Sequence, residues 1–359
     1  LAGTPAPSLF TGLEPEVRAL RDTVGLSHLA HIACSRLSGA GMWEVLDRVC
    51  PADLYLRDLQ IRHTLLLDDG GLPLADLYVG NDDDGFILLA DGISGPALDA
   101  HIREHAPAGA AFTLTDLGVT HTILSLNGPF AWEALAALEG PDIIGFPYLT
   151  FYHPRPGATY FRAGKTGEYG YDLLVPREQA PALWARLLDI GGRLGLLEVG
   201  LDALAHAQLE NWFFDMHREG RAGLSPIELQ LQWRLATEDK DYVGRAALRQ
   251  RPVTGRITAL RAARPLVPGE LVSHRDERIG VVIRGERSVT LGDEIGIALI
   301  DRSFAHSGID VFRVGDVPVR TVSPPFVNNL SLYVNPQQHT WATRHEVAFP
   351  GAERRRLGR

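Results

Sequence analysis

Between residues 65 and 89, three short apolar runs are separated by two acid-and-glycine turns. Leu65, Leu66 and Leu67 run into Asp68-Asp69-Gly70-Gly71, and Leu77 to Val79 runs into Asn81-Asp82-Asp83-Asp84-Gly85, before Phe86 to Leu89. Turns of this chemistry reverse the chain within a few residues, so the stretch predicts an antiparallel meander. The same punctuation returns beyond about Arg256. Short Val/Ile runs at 279–283, 295–300, 311–314 and 317–322 are separated by Gly and Asp, which predicts a small β-barrel or sandwich at the C-terminal end. Between the two β-rich regions the period changes. Trp132, Leu135 and Leu138 recur every three residues, as do Leu201 and Leu204, and Leu183, Leu187 and Leu188 share one helical face. Helices are therefore predicted over 130–138, 179–190 and 201–210, and a further short one over 40–50. Strands are predicted at 121–126, 160–162 and 171–175. The order is mixed α+β first and all-β last, with a boundary at 250–254. Residues 1–12 read as an arm or loop, and 329–359, where nothing is periodic, as a surface or disordered tail.

Length and charge narrow the functional classes. A chain of 359 residues suggests two or three domains. Lys+Arg 35 against Asp+Glu 44 leaves a net charge of −9, whereas a nucleic-acid binder carries a basic face. The one basic run is Arg354, Arg355, Arg356 and Arg359, read as a solvated end. Two cysteines, Cys34 and Cys50, are too few for a disulfide scaffold. No apolar run approaches the ~18 residues of a membrane helix, and no charged-then-apolar leader is visible at the start. The expectation is a cytoplasmic protein with neither nucleic acid nor membrane as partner.

Several familiar motifs fail on their context. Gly164-Lys165-Thr166 is the end of a phosphate-binding loop, but position 159 is Thr where that motif needs Gly, and a strand rather than a helix follows. No GxGxxG follows a strand, and there is no GxSxG. His28 with His31, and His206 with Glu210, have helical ligand spacing, yet two ligands do not make a metal site. No metal is assigned.

Six segments, in order from about residue 24 to 248, resemble the tetrahydrofolate-dependent aminomethyltransferase (T-protein) family of the glycine cleavage system. They are Gly25-Leu26-Ser27-His28, Gly70-Gly71 with Ala75-Asp76-Leu77, Asn127-Gly128-Pro129, the stretch Arg162 to Asp172 (RAGKTGEYGYD), Ser225-Pro226-Ile227-Glu228 with Leu231 and Trp233, and Asp241-Tyr242-Val243-Gly244-Arg245-Ala246-Ala247-Leu248. Ser323-Pro324-Pro325-Phe326 suits the family's C-terminal barrel. The resemblance implies a three-domain cloverleaf around a central hole, entered by a reduced pterin from one side and a one-carbon donor from the other. Residues 1–252 are then the folate-binding catalytic region, 253–328 the barrel and 329–359 the tail.

It also implies roles. Asp76 matches the family acid beside the reacting folate nitrogens, where a carboxylate accepts a proton or holds a developing cation. Asp172 matches the acid that accepts the pterin's amine and ring N–H together. Asp91 stands where the family has Asn, and an ionised Asp accepts hydrogen bonds but donates none. Glu210, Arg162, Tyr169, Tyr171 and Trp233 fall at further cofactor-side positions, with stacking on the pterin as one role of the aromatics and core packing as the other. Two family arginines are replaced by Leu204 and Gln208, and a family Tyr by Lys165. Arg is the natural partner of a carboxylate and Leu is not, so Lys165 and Gln208 mark a rebuilt substrate side. The expected activity is transfer of a methyl or methylene group between tetrahydrofolate, or its 5-methyl or 5,10-methylene form, and a small amine or methyl ether. A non-catalytic folate-binding protein, or a subunit that needs a partner protein or a second copy of the chain, remains open. The essential Cys of the iron–sulfur-repair relatives is absent from Lys165-Thr166-Gly167-Glu168.

Overall fold

The computed structural model describes residues 6–236 and 240–346. In chain order its first half comprises α1 (Leu13–Asp22), β1 (Val24–His28), β2 (Ala33–Ser38), α2 (Met42–Val49), β3 (Ile61–Leu67), β4 (Pro73–Asp82), β5 (Gly85–Asp91), α3 (Gly95–His105), β6 (Thr113–Asp116) and β7 (His121–Asn127). Then come α4 (Ala131–Glu139), β8 (Phe151–Arg155), β9 (Ala158–Phe161), β10 (Gly170–Pro176), α5 (Ala180–Gly192), β11 (Leu196–Glu198), α6 (Leu201–Glu210) and α7 (Arg245–Gln250). The C-terminal strands are β12 (Gly255–Ala262), β13 (Leu271–His274), β14 (Glu277–Arg287), β15 (Glu294–Asp301), β16 (Phe312–Val314) and β17 (Val317–Val322).

These strands make three sheets. One has five strands in the order β3-β4-β5-β2-β6, one has six in the order β11-β1-β7-β10-β9-β8, and β12 to β17 close into a barrel. The expected mixed α+β architecture with a C-terminal barrel is the observed one. The meander at 61–91 is antiparallel throughout. Its tight turn at Gly71 (φ +75°) lies against Leu248 and the Gly244 carbonyl, where a side chain would not fit.

Period-2 alternation sorts the strand residues onto two faces. In the five-stranded sheet, Ala75, Leu77, Val79, Leu88 and Ala90 pack under α2 and α3. The opposite residues, Tyr78, Ile87 and Leu89, meet Ile123, Phe161 and Leu174 of the six-stranded sheet. That sheet's far face, with Leu124, Leu126, Tyr171 and Leu173, is covered by α4 and α5. Two sheets thus stack face to face with helices outside, which explains why 86–90 is apolar without alternation. Barrel residues Ile257, Ala259, Ile295 and Ile297 pack outward against Leu65, Leu67 and Leu209.

Both ends of the chain differ from the expectation of a free arm and tail. The carbonyls of Pro7 and Ser8 accept the Leu201 and Asp202 N–H groups that open α6. Buried Glu16 accepts N–H from Phe10, Thr11, Gly12 and Gly200. Leu330 and Val334 are buried in the core of the six-stranded sheet, and Trp341 lies edge-on to Phe130. A few well-spaced anchors hold this segment without any period to announce them. The arginine run at 354–359 lies outside the described residues. Among the described residues no helix is long and apolar enough to cross a membrane.

Candidate functional site

Where the two sheets face each other they enclose a cavity of about 350 Å³, lined by residues of β4, β5, β7, β10, the loop 164–166, one face of α6 and the segment 215–218. This is within the size range of small-molecule sites. Strand pairing sets its chemistry. Asp76 lies directly opposite Asp91 across β4 and β5, and Ser125 opposite Asp172 across β7 and β10.

Two facing carboxylates repel, and the loop after β9 supplies the cation between them. Lys165 Nζ is 2.7 Å from Asp76 Oδ2 and 3.2 Å from Asp91 Oδ2. Gly164 (φ +155°) makes that approach possible, since a Cβ there would stand 3.0 Å from Asn127 Oδ1. The loop is held from behind. Arg21 Nη1 and Asn211 Nδ2 donate to the Thr166 carbonyl at 2.6 and 2.8 Å, and Thr166 Oγ1 donates to Asn127 Oδ1 at 3.2 Å.

Asp76 is buried and fully engaged. Its Oδ1 accepts from His63 Nε2 and from Arg234 Nη1, each at 2.6 Å. Burial alone would raise its pKa, but Arg234, His63 and Lys165 hold it well below the usual carboxylate range. Burial pushes His63 down to about 4, so its ring is neutral at pH 7. The Lys165 ammonium is held charged by the two aspartates despite its burial. Asp91 is likewise ionised; burial opposes this, but Lys165 and the His217 N–H, which donates to Oδ1 at 2.7 Å, prevail. Asp172 differs. Burial pushes it up to about 6, opposed by the Ser125 Oγ–H donated to Oδ1 at 2.5 Å and by the Lys165 charge. Its other carboxylate oxygen has no protein donor among the described residues, and the side chain lines the cavity.

Of the residues singled out in the sequence, Asp76, Asp91, Lys165, Asp172 and Gln208 share this cavity, and His31 and Leu204 line it too. Glu210, Arg162, Tyr169, Tyr171 and Trp233 do not. Tyr171 is adjacent to Asp172 in β10 and therefore points to the opposite face, into the core under α4. With Tyr169 and Arg162 it lines a separate recess of about 220 Å³. There the guanidinium lies 4.8 Å from each tyrosine ring centre and donates to the Gly170 carbonyl at 3.0 Å. Trp233 borders a third cavity, of about 150 Å³, beside Phe214 and Arg234. Glu210, two residues beyond Gln208, is turned about 200° around α6 from it. It is fully buried, accepting from Arg21, Ser288 and Thr290. Its part is to fix Arg21, and through Arg21 the loop that carries Lys165. His28 and His31 share no centre, since His28 Nε2 bonds Thr122 Oγ1 at 2.7 Å. His206 is an ion-pair partner of Glu210 and Glu286.

Sequence reasoning missed His63, Arg234, Ser125, Tyr78 and His217. Ser125 becomes visible only once β7 and β10 are registered. Arg234 and His217 come from irregular segments with no period to read.

Residues 4–239 match the GCVT N-terminal domain, and residues 255–328 the glycine cleavage T-protein C-terminal barrel domain. The chain is 31 % identical over 350 residues to the aminomethyltransferase of Synechococcus sp. (strain CC9902), covering 90 % of this chain and 93 % of that protein. It is 30 % identical over 342 residues to the aminomethyltransferase of Saccharopolyspora erythraea, covering 90 % and 92 %. Among solved structures, the glycine cleavage system aminomethyltransferase T of Bartonella henselae shares the fold with a TM-score of 0.80 at 24 % identity, covering 92 % of this chain and 93 % of that one.

Proposed function

The chain belongs to the glycine cleavage T-protein family, and on that premise we propose that it is a tetrahydrofolate-dependent one-carbon transferase whose other reactant is a small amine or methyl ether. The observation that carries the reading is the buried Asp172 carboxylate, with one oxygen held by Ser125 and the other free to accept at the cavity wall. A pterin edge offers two N–H donors to such a group, a charge-assisted contact. When bound, the reduced pterin supplies the nitrogen that carries the one-carbon unit.

The protein's part is positional and electrostatic. Asp76 is held so far below the usual carboxylate range that it is a poor proton acceptor. Its fixed negative charge instead favours positive charge developing on a nitrogen beside it. Lys165, paired with both Asp76 and Asp91, sets how much of that charge the cavity sees. Burial raises Asp172 to about 6, toward the range in which it exchanges its proton near neutral pH. Leu204 and Gln208 give the α6 wall no charge, while Asp76, Asp91, Asp172, Asp202 and Asp215 line the cavity against Lys165 and Arg218. An excess of carboxylates favours an amine over an acid as the second reactant. Most of the acceleration comes from holding the two reactants in line.

The test is calorimetric titration with tetrahydrofolate and its 5-methyl and 5,10-methylene forms, followed by product mass analysis over amine and methyl-ether donors. Stoichiometric binding that Asp172→Asn weakens, with one-carbon exchange, is the expected result. Absence of folate binding, or binding indifferent to Asp172→Asn, overturns the reading.

A further inference from the structure

At the edge of the same cavity, three side chains from separate elements converge. His31 follows β1, Asp91 ends β5 and His217 lies in the segment after α6. One ligand atom from each falls within 4.8 Å of the other two. We propose that His31, Asp91 and His217 bind one divalent cation of the Zn²⁺ class, with its open coordination positions facing the cavity.

Two imidazoles and one carboxylate suit borderline divalent ions, and three protein ligands leave room for water or a reactant. His217 Nε2 is 2.7 Å and His31 Nε2 3.8 Å from Asp91 Oδ1. Ligands around a tetrahedral ion with bonds of 2.0–2.1 Å stand roughly 3.3 Å apart, so the two distances bracket the required one. The 3.8 Å separation is too long for a hydrogen bond. His31 is independently telling. Its ring is buried, and Nδ1 has no hydrogen-bond partner among the described residues, which leaves Nε2 as its only outlet to a polar partner.

Lys165 fits the arrangement. It engages Asp91 through Oδ2, so Oδ1 remains for the ion, and ligating carboxylates are commonly braced by such a bond. Charge balance allows it too. Asp76 and Asp91 offset Lys165 and Arg234, and Asp172 at the cavity wall has no cation partner of its own to offset it, while Asp202 and Asp215 lie beside Arg218 and Arg284. In the ion-free protein His217 Nε2–H donates to Asp91 Oδ1, and that proton moves to Nδ1 when Nε2 takes the ion.

The test uses the full chain, stripped with chelator, with no folate present. Titration with Zn²⁺ at pH 7.5 is followed by calorimetry and elemental analysis, and Co²⁺ is added separately to read its visible absorption. One equivalent bound and a four- or five-coordinate Co²⁺ spectrum are expected. His217→Ala, on a partly exposed segment, and His31→Ala each weaken Zn²⁺ binding at least tenfold, while His28→Gln leaves it unchanged. No binding overturns the proposal, and so does stoichiometric binding that survives His217→Ala in folded protein. Because folate is absent throughout, either result leaves the one-carbon reading to its own test.

Discussion

The cluster Asp76, Asp91, Lys165 and Arg234 carries two negative and two positive charges with His63 neutral, so it is balanced in the wild-type protein. Asp76→Asn removes one negative charge, the carboxylate that pairs with buried Arg234 and one of the two that hold Lys165. The Asn oxygen accepts from one donor, and its amide then faces another cation as a second donor. Breaking a buried pair in this way costs about 3–5 kcal/mol. For a cooperative unit the size of the two stacked sheets, that is a fall of roughly 6–20 °C in thermal midpoint. Lys165→Met makes the opposite imbalance, leaving Asp91 with His217 and Asp76 with Arg234 and His63, and costs a comparable amount. The double variant is neutral again. Its loss is therefore smaller than the summed single losses by about 2 kcal/mol or more, a coupling typical of residues in direct contact. Thermal midpoints of the four proteins, measured with circular dichroism to confirm native structure, give the cycle. Additivity within about 0.5 kcal/mol would refute the claim that Lys165 exists to balance the two aspartates.

Three further outcomes follow from the same geometry. Asp172→Asn removes a charge-assisted contact worth about 1.5–3 kcal/mol, so folate affinity at pH 8 falls roughly 10- to 150-fold. With Asp172 at about 6, wild-type affinity is level above pH 7 and drops about tenfold per unit below pH 6, as the accepting form is lost, whereas the Asn variant is flat. His206 is pushed up to about 9; burial opposes this, but hydrogen bonds and charge from Glu210 and Glu286 prevail. Because its folded value is the higher one, its contribution is complete below about pH 6.5 and lost as pH rises through 9, so melting points decline over that window and do so less in His206→Gln. Gly71→Ala places a Cβ 2.8 Å from that of Leu248 at φ +75°, which costs about 1–3 kcal/mol in a denaturation series.

How far the sequence reveals the site depends on what each residue's position rests on. Asp76 and Asp172 lie in strands bounded by clear turns, so their motif matches carry over to one cavity. Tyr171 was excluded by the same alternation that admits Asp172, and Glu210 by the helical phase that admits Gln208. Both exclusions were readable from the periods of 2 and 3.6 alone. Glu210 acts at one remove instead, by fixing Arg21. His31 is the opposite case. Its sequence neighbour His28 suggested a pair that the strand geometry does not make, while its spatial partners Asp91 and His217 lie 60 and 186 residues away along the chain. No local period encodes a convergence of three elements, and the barrel, through Arg284 near Asp215 and Glu219, helps to hold the last of them in place.

The departures from the family's pattern gain sense when taken as one redistribution of charge. Where the resemblance implies two arginines, the α6 wall carries Leu204 and Gln208, and Lys165 stands between two aspartates on the facing sheet. A cation on α6 would reach an incoming carboxylate, whereas Lys165 is already spent on Asp76 and Asp91. Among the described residues lining this cavity, the other cation is Arg218, half-exposed near Asp202. An incoming carboxylate therefore has its best contact at the 215–218 edge. The uncharged Leu204 and Gln208 of α6 and the acidic floor are then left for the second reactant. A positively charged or neutral amine is compatible with that floor, and an anionic one is repelled by it. Gln208→Arg tests the point directly: it should strengthen inhibition by small carboxylates while leaving that by amines weaker or unchanged, and the reverse order would mean that the wall was never the selective surface.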